Sequence, residues 1–361
     1  MQTMHPAIVA GQHTLELAAI DPDVFAARRR QVDDLLEAGR YGGLVIYGDA
    51  QDSSVLTYLT NYMPRMRWAV ALLSPGQPLR LYVAGPARDL PFVRDMTTVD
   101  ALHPFEVFEQ DLAAWADGEP SCGPPRLAGC NLERARDPVA LPLSRVCAAE
   151  PIDSLDAELE RLAAACTPLV RAKVAGAHRL ILDVAQGLAR ESRRGPVAPA
   201  LAAMDFERRA YEAGAYQVQT LFGDGATLVL EPFDGHGDPD RHASRGVLYA
   251  ALKVAGYAAD AFVCLGPQDD GLADIAKEIL AAVREQAQPG VSVASLRATV
   301  RLLAGRAGAA VFDDALVAQL GLRIVPLADA SVLSAARAYS LKLGVLRAGM
   351  AYFASDVLFL E

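Results

Sequence analysis

The stretch GVLYAALKVAGYAADAFVCLG, Gly246 to Gly266, reads as two buried strands joined around Gly256 and Tyr257. Both runs are apolar, and the glycine between them marks a tight turn. A single acid, Asp260, stands in the second run. A carboxylate there either binds a cationic group of a ligand or is satisfied by backbone amides, and the residues leave both readings open.

Downstream, DGLADIAKEILAAVREQ and VASLRATVRLLAGRAG carry helical spacing and are separated by a glycine turn at QPGVS. LGLRIVPLA and AYFASDVLFLE follow as closing strands. Upstream, YQVQTLFGD and ATLVLEPF read as further strands. Meandering strands flanked by paired helices indicate an α+β domain, not a doubly wound sheet. Gly223-Asp224-Gly225 lacks the third glycine and the following helix that a dinucleotide would need.

The first half alternates helices and strands. DPDVFAARRRQVDDLLEAG opens with Asp21 as N-cap and Pro22 at the first helical position, and Gly39 closes it. GGLVIYG, WAVALLS, LRLYVAG and RLAGCNLE read as strands, with short helices at DSSVLTYLTNY and PVALPLSRVCAA. Pro168 breaks a long helical pattern into one helix ending near Cys166 and another starting after Thr167. Domains are therefore expected at 1–166 and 167–361.

Of the 361 residues, 52% are hydrophobic and 22% charged, the balance of a folded globular chain. A net charge of −10 argues against a nucleic-acid or anionic-membrane partner, since both select a basic surface. Arg28 to Arg30 form the densest basic cluster and read as a solvated helix face. The five cysteines show no C-x-x-C spacing and read as reduced thiols. No basic start with a long apolar run opens the chain, and no segment approaches a membrane span, so a cytoplasmic protein is expected.

The order of these features resembles the creatinase/prolidase/aminopeptidase P family, whose second domain has the pita-bread fold. GLVIYGDAQDSSVLTYLTNY matches the first domain's strand and Tyr-Leu-Thr element, and LVRAKVAGAHRLILDVA the opening helix of the second. GYAAD matches the Gly-Tyr-x-x-Asp of a metal-binding strand, QPGVSVASL a Pro-Gly turn and helix, and LRAGMAYF the turn before the last strand. The resemblance implies an α+β chain, a creatinase-like α/β domain followed by a pita-bread domain, and usually a homodimer. In functional members it implies two divalent metals held by Asp, Asp, His, Glu and Glu. Here Tyr249 stands where the first aspartate belongs, and Asp260 matches the second. Leu322 and Arg323 fall where a ligand would be, Asp329 is at best out of register, and the last glutamate falls near Ser355 or Asp356. Two cations held close together need several anionic ligands, so no metal or other cofactor is expected.

The resemblance also implies a metal-free alternative, since creatinase uses a histidine as acid and base. His236, in EPFDGHGDPDRHASRG, stands about where that residue belongs, with His242 six residues on. Glu231 at a strand end is a candidate carboxylate partner, and Asp260 completes the catalytic set. Asp234, His236, Asp238, Asp240 and His242 recur at spacing two, but glycines and a proline interrupt the alternation a metal site would need. Arg65, Arg67 and Tyr62, just after the Tyr-Leu-Thr element, are candidate grips for a substrate carboxylate. Tyr257 and Arg323 are further candidates for substrate binding. Arg323 is also expected to form a buried ion pair with Asp356.

The expected activity is metal-independent acid–base chemistry at a C–N bond of a small amino-acid-like substrate. A non-catalytic pseudo-peptidase that binds without turnover is the alternative. A metal-dependent Xaa-Pro aminopeptidase is disfavoured by the missing ligands.

Overall fold

The computed structural model describes residues 21–64, 67–99, 101–116, 126–147, 151–192, 195–232, 242–267, 271–313 and 316–361. Contacts divide the chain into two compact units that meet between Ala163 and Ala164.

In the first unit, helix α1 (Pro22–Gly39) starts as its sequence dictates, with the Asp21 carboxylate accepting the Asp23 N–H. It ends one residue later than expected. Gly39 is still helical, and Arg40 makes the left-handed cap at φ 55°. The strands β1 (Gly43–Asp49), β2 (Trp68–Leu73), β3 (Arg80–Val83), β4 (Ala101–Pro104), β5 (Leu127–Cys130) and β6 (Asp153–Ser154) form a sheet ordered β4-β3-β2-β1-β5-β6. β1 pairs antiparallel with β2 and parallel with β5, so the sheet is mixed. The helices α2 (Ser54–Thr60), α3 (Leu90–Arg94), α4 (Phe108–Ala116), α5 (Asp137–Val146) and α6 (Asp156–Ala163) complete the unit. Val45, Tyr47, Val70, Leu72 and Tyr82 pack with Phe108, Leu112, Val139 and Leu143 in its core.

The second unit repeats one plan twice. Helices α7 (Pro168–Ser192) and α8 (Pro199–Glu212) precede β7 (Tyr216–Gly223), β8 (Glu231–Pro232), β9 (Gly246–Val254) and β10 (Tyr257–Leu265). Helices α9 (Leu272–Gln286) and α10 (Val293–Arg306) then precede β11 (Ala310–Phe312), β12 (Val317–Leu320), β13 (Val325–Pro326), β14 (Arg337–Arg347) and β15 (Met350–Leu360). Each half ends in a long hairpin closed by an Ala-Gly pair: Ala255-Gly256 between β9 and β10, and Ala348-Gly349 between β14 and β15. All four turn residues have positive φ, as a two-residue turn matching the strand twist requires. The first turn sits one residue earlier than expected, because Tyr257 already pairs with Val254 in the ladder.

The sheets are ordered β10-β9-β7-β8 and β11-β14-β12-β13, with β15 on β14. One face of each is covered by its helix pair. Val170, Val174, Ala177, Ile181, Ala185 and Leu188 recur every three or four residues along α7, and all are buried. Those from Ala177 onward pack with Leu248, Ala250, Leu252, Ala259 and Ala261 of the first sheet. On the second sheet Leu341, Leu343, Val345 and Leu358 pack with Ala276, Ile279, Val283 and Leu296. The alternation of a strand then sends the intervening residues to the opposite face.

Two strand expectations are corrected. ATLVLEPF contributes only Glu231 and Pro232 to a sheet. LGLRIVPLA splits into β12 and β13, with Gly321 to Arg323 in the connection.

Candidate functional site

The face of β9 and β10 away from the helices carries Val247, Tyr249 and Ala251 opposite Cys264, Phe262 and Asp260. Tyr249 and Asp260 are diagonal neighbours on this face, within reach of a long side chain. The Tyr249 hydroxyl donates to Asp260 Oδ2 at 2.8 Å. Tyr249, which stands where the resemblance expects the first aspartate, therefore has a partner of its own. It is a ligand of the acid that remains. Burial, and secondarily the Asp260 charge, push its hydroxyl above the ordinary tyrosine range, so it stays a proton donor.

The second partner of Asp260 comes from the other sheet. Lys342, on β14, donates from Nζ to the same Oδ2. The lysine side chain is 3% exposed and the aspartate 0%. The ammonium also lies 5.3 Å from the centre of the Tyr249 ring, within range of a cation–π attraction. Ser355 faces Lys342 across the β14–β15 ladder, and its Oγ accepts the Phe262 N–H at 2.9 Å. The edge strand β10 is thus stitched to β15 and β14 by side chains.

Aromatic packing closes in around this cluster. The Phe262 ring lies 5.4 Å from that of Tyr249 and 4.8 Å from that of Phe353. Phe353 fits because Gly344, its cross-strand neighbour, has no side chain: a Cβ there would sit 2.7 Å from the ring. Val247, Ala351, Leu228, Leu230 and Leu346 complete the apolar cluster.

The metal pair implied by the resemblance does not fit these residues. Asp260 Oδ1 is buried and without a hydrogen-bond partner among the described residues, but its other oxygen holds an ammonium, which repels a dication. Asp356 is turned to the opposite face by the strand's alternation, since it pairs with Leu341, and its carboxylate is held by Arg284 of α9. Asp329 pairs with Arg297 of α10 at 3.0 Å. No group of three or more His, Cys, Asp or Glu side chains suited to a metal occurs among the described residues.

Asp356 does not pair with Arg323, as the sequence suggests; its partner is Arg284. The cation beside Asp260 is Lys342, and Arg323 is half-buried in the connection after β12. Gly321 of that connection accepts the Ala258 N–H at 2.6 Å, which brings the loop against β10. Glu231 is exposed and lies opposite Phe222, which packs on the helix side of the sheet. Asp260 projects from the other side, so the two candidate catalytic carboxylates are not brought together. Tyr257 is buried at the start of β10 on the same strand parity as Ala259, hence also away from Asp260. In the first unit Tyr62 is buried and Arg67 exposed. His236 and Arg65 lie outside the described residues, as do Asp234, Asp238 and Asp240. His242 is exposed.

Two polar residues went unread in the sequence. Lys342 sits in RAYSLKLGVLR, where the lysine at the centre of an apolar alternation was the available signal. His178, on α7, has a buried Nε2 without a hydrogen-bond partner among the described residues. Burial pulls its pKa below the ordinary histidine range, against the opposing pull of Asp356 and Asp260. Among the described residues no disulfide joins Cys130, Cys147, Cys166 or Cys264, and no helix is long and apolar enough to cross a membrane.

No family model and no curated protein matches the sequence. Solved structures do match its fold. A prolidase from Pyrococcus horikoshii superposes with a TM-score of 0.71 at 14% identity, covering 92% of this chain and 95% of its own. An X-Pro aminopeptidase from Thermotoga maritima gives 0.73 at 14% identity, over 92% and 94% of the two chains. An aminopeptidase P from Escherichia coli gives 0.71 at 14% identity, over 94% and 93%. The chain thus has the pita-bread fold seen in these prolidase and aminopeptidase structures.

Proposed function

We propose that this chain is a pseudo-peptidase: a prolidase-like fold that binds a small amino-acid or proline-containing peptide without hydrolysing it. The observation that carries the reading is the bond from Lys342 to Asp260. An acid that serves as metal ligand or proton acceptor must meet its cation or substrate. Asp260 is buried, and one of its two oxygens is taken by both an internal ammonium and the Tyr249 hydroxyl. Acid–base chemistry at a C–N bond by His236 with Asp260 or Glu231 is the second reading: the two carboxylates lie on opposite faces of one sheet, so only one of them can partner His236, which lies outside the described residues. The substrate class follows from the X-Pro peptidases that share the fold, and the homodimer expected from the resemblance belongs to the same proposal.

The test is an assay of purified protein on Xaa-Pro dipeptides and tripeptides, with and without added Mn²⁺ or Co²⁺, alongside calorimetric titration of the same peptides. Binding without turnover is expected. Turnover that survives exhaustive removal of contaminating peptidase, and disappears in Asp260→Asn, overturns the reading.

A further inference from the structure

The environment of Asp260 raises a question of charge. A buried carboxylate is costly unless it is paired and hydrogen-bonded. Tyr249, on the same face, and Ser355, across from Lys342 in the other sheet, are neutral. The protein supplies the missing charge from the other sheet, and Lys342 is placed to do this by three features. It stands on the face of β14 opposite the helix-packed Leu341 and Leu343. Its ammonium meets Oδ2 where the Tyr249 hydroxyl also converges. The Tyr249 ring then shields it at 5.3 Å.

We infer that Lys342 is a built-in counter-cation: its ammonium takes the position against Asp260 that an exogenous metal ion would need. The site is therefore closed to divalent cations in the native protein and becomes cation-responsive once the lysine is shortened. The inference concerns what neutralises Asp260, and it holds whether or not the chain has an activity. Removing the lysine stem leaves an anion beside the space that the side chain filled, with the tyrosine hydroxyl still present. That space suits a small organic ammonium as well as a metal ion.

The experiment compares native protein, Lys342→Ala and Lys342→Ala/Asp260→Asn. Thermal midpoints are recorded in MnCl₂, CoCl₂ or n-butylammonium chloride, with a choline chloride control at equal ionic strength. Metal content is measured after dialysis. Native protein is expected to retain no stoichiometric metal and to show the same midpoint in every salt. The midpoint of Lys342→Ala is expected to rise with at least one of the three cations, and that rise to vanish in the double variant. Native protein that retains one Mn²⁺ or Co²⁺ per chain, lost in Asp260→Asn, overturns the inference. So does a Lys342→Ala protein that responds to no cation more than the double variant does. If Lys342→Ala does not fold alone, recovery of soluble protein on refolding with the cation replaces the midpoint, and failure with all three overturns the inference equally. Native protein that binds no metal yet cleaves a peptide would remove the non-catalytic reading alone.

Discussion

Asp260 and Asp313 are both buried aspartates with basic partners, and they are held in opposite ways. Asp313 follows β11 and receives Arg301 at 2.9 Å, with Arg297 at 3.7 Å. Those arginines stand one turn apart on α10, so the pair braces a helix against the strand it precedes. Arg301 is 61% exposed and Arg297 15%, so the brace keeps contact with solvent. Asp260 has a single lysine, itself 3% exposed, reaching from a different sheet. The first arrangement joins neighbours in sequence at the surface. The second joins strands 82 residues apart inside the unit. Dielectric surroundings, more than the number of bonds, should set what each is worth.

The largest expected effect follows from Lys342→Met, which keeps the stem and removes the charge. Leaving Asp260 buried and unpaired is expected to destabilise the protein by about 3–5 kcal/mol in denaturant unfolding. Lys342→Met/Asp260→Asn, which removes both charges together, should recover most of that loss. A double variant as unstable as the single one would show that the lysine matters for packing and not for charge.

Tyr249→Phe comes next. It deletes one hydrogen bond to a carboxylate while keeping the ring against Phe262, so a loss of about 1.5–3 kcal/mol is expected. Because Lys342 remains, the loss should be smaller than for Lys342→Met. An equal loss would make the tyrosine, not the lysine, the principal partner of Asp260.

These ranks bear on how much could be read from the chain alone. The helix start at Asp21 and Pro22, the break at Pro168 and the paired runs around Gly256 all follow from local rules, and all appear in the structure. Asp260 was legible as the one acid in a buried hairpin. Its partners were not: the lysine comes from β14 of the other sheet, and the tyrosine, a diagonal neighbour in the hairpin, could be placed only once the Ala255-Gly256 turn had set the register. A strand pattern shows which face Tyr249 takes but not what waits there. The misplaced pair of Asp356 and Arg323 has the same origin. Strand parity turns Asp356 towards α9, and parity could be assigned only once β14 and its register were known. ATLVLEPF failed for another reason: apolar content alone does not make a strand without a neighbour to pair with.

His178 gives a smaller and pH-dependent effect. Its folded pKa is depressed by burial, so the unfolded chain binds the proton more readily. Its contribution is fully present above the unfolded value of about 6.5 and is lost as pH falls from there through the folded value. The unfolding midpoint should therefore decline on acidification through that window, and His178→Gln should flatten the decline. A slope unchanged by the substitution would assign the acid sensitivity to other groups.

Arg301→Met is expected to have the smallest effect, under about 1 kcal/mol, although it removes two hydrogen bonds to a buried carboxylate. Three features soften the loss. The guanidinium is mostly solvated before the change, Arg297 remains near Asp313, and water can reach the vacated side. The contrast with Lys342→Met is the informative quantity, because both variants leave a buried aspartate short of a cation. If Arg301→Met proves as damaging as Lys342→Met, solvent access is not what separates the two sites. Partial solvation of a guanidinium would then not soften the loss of its charge beside a buried carboxylate.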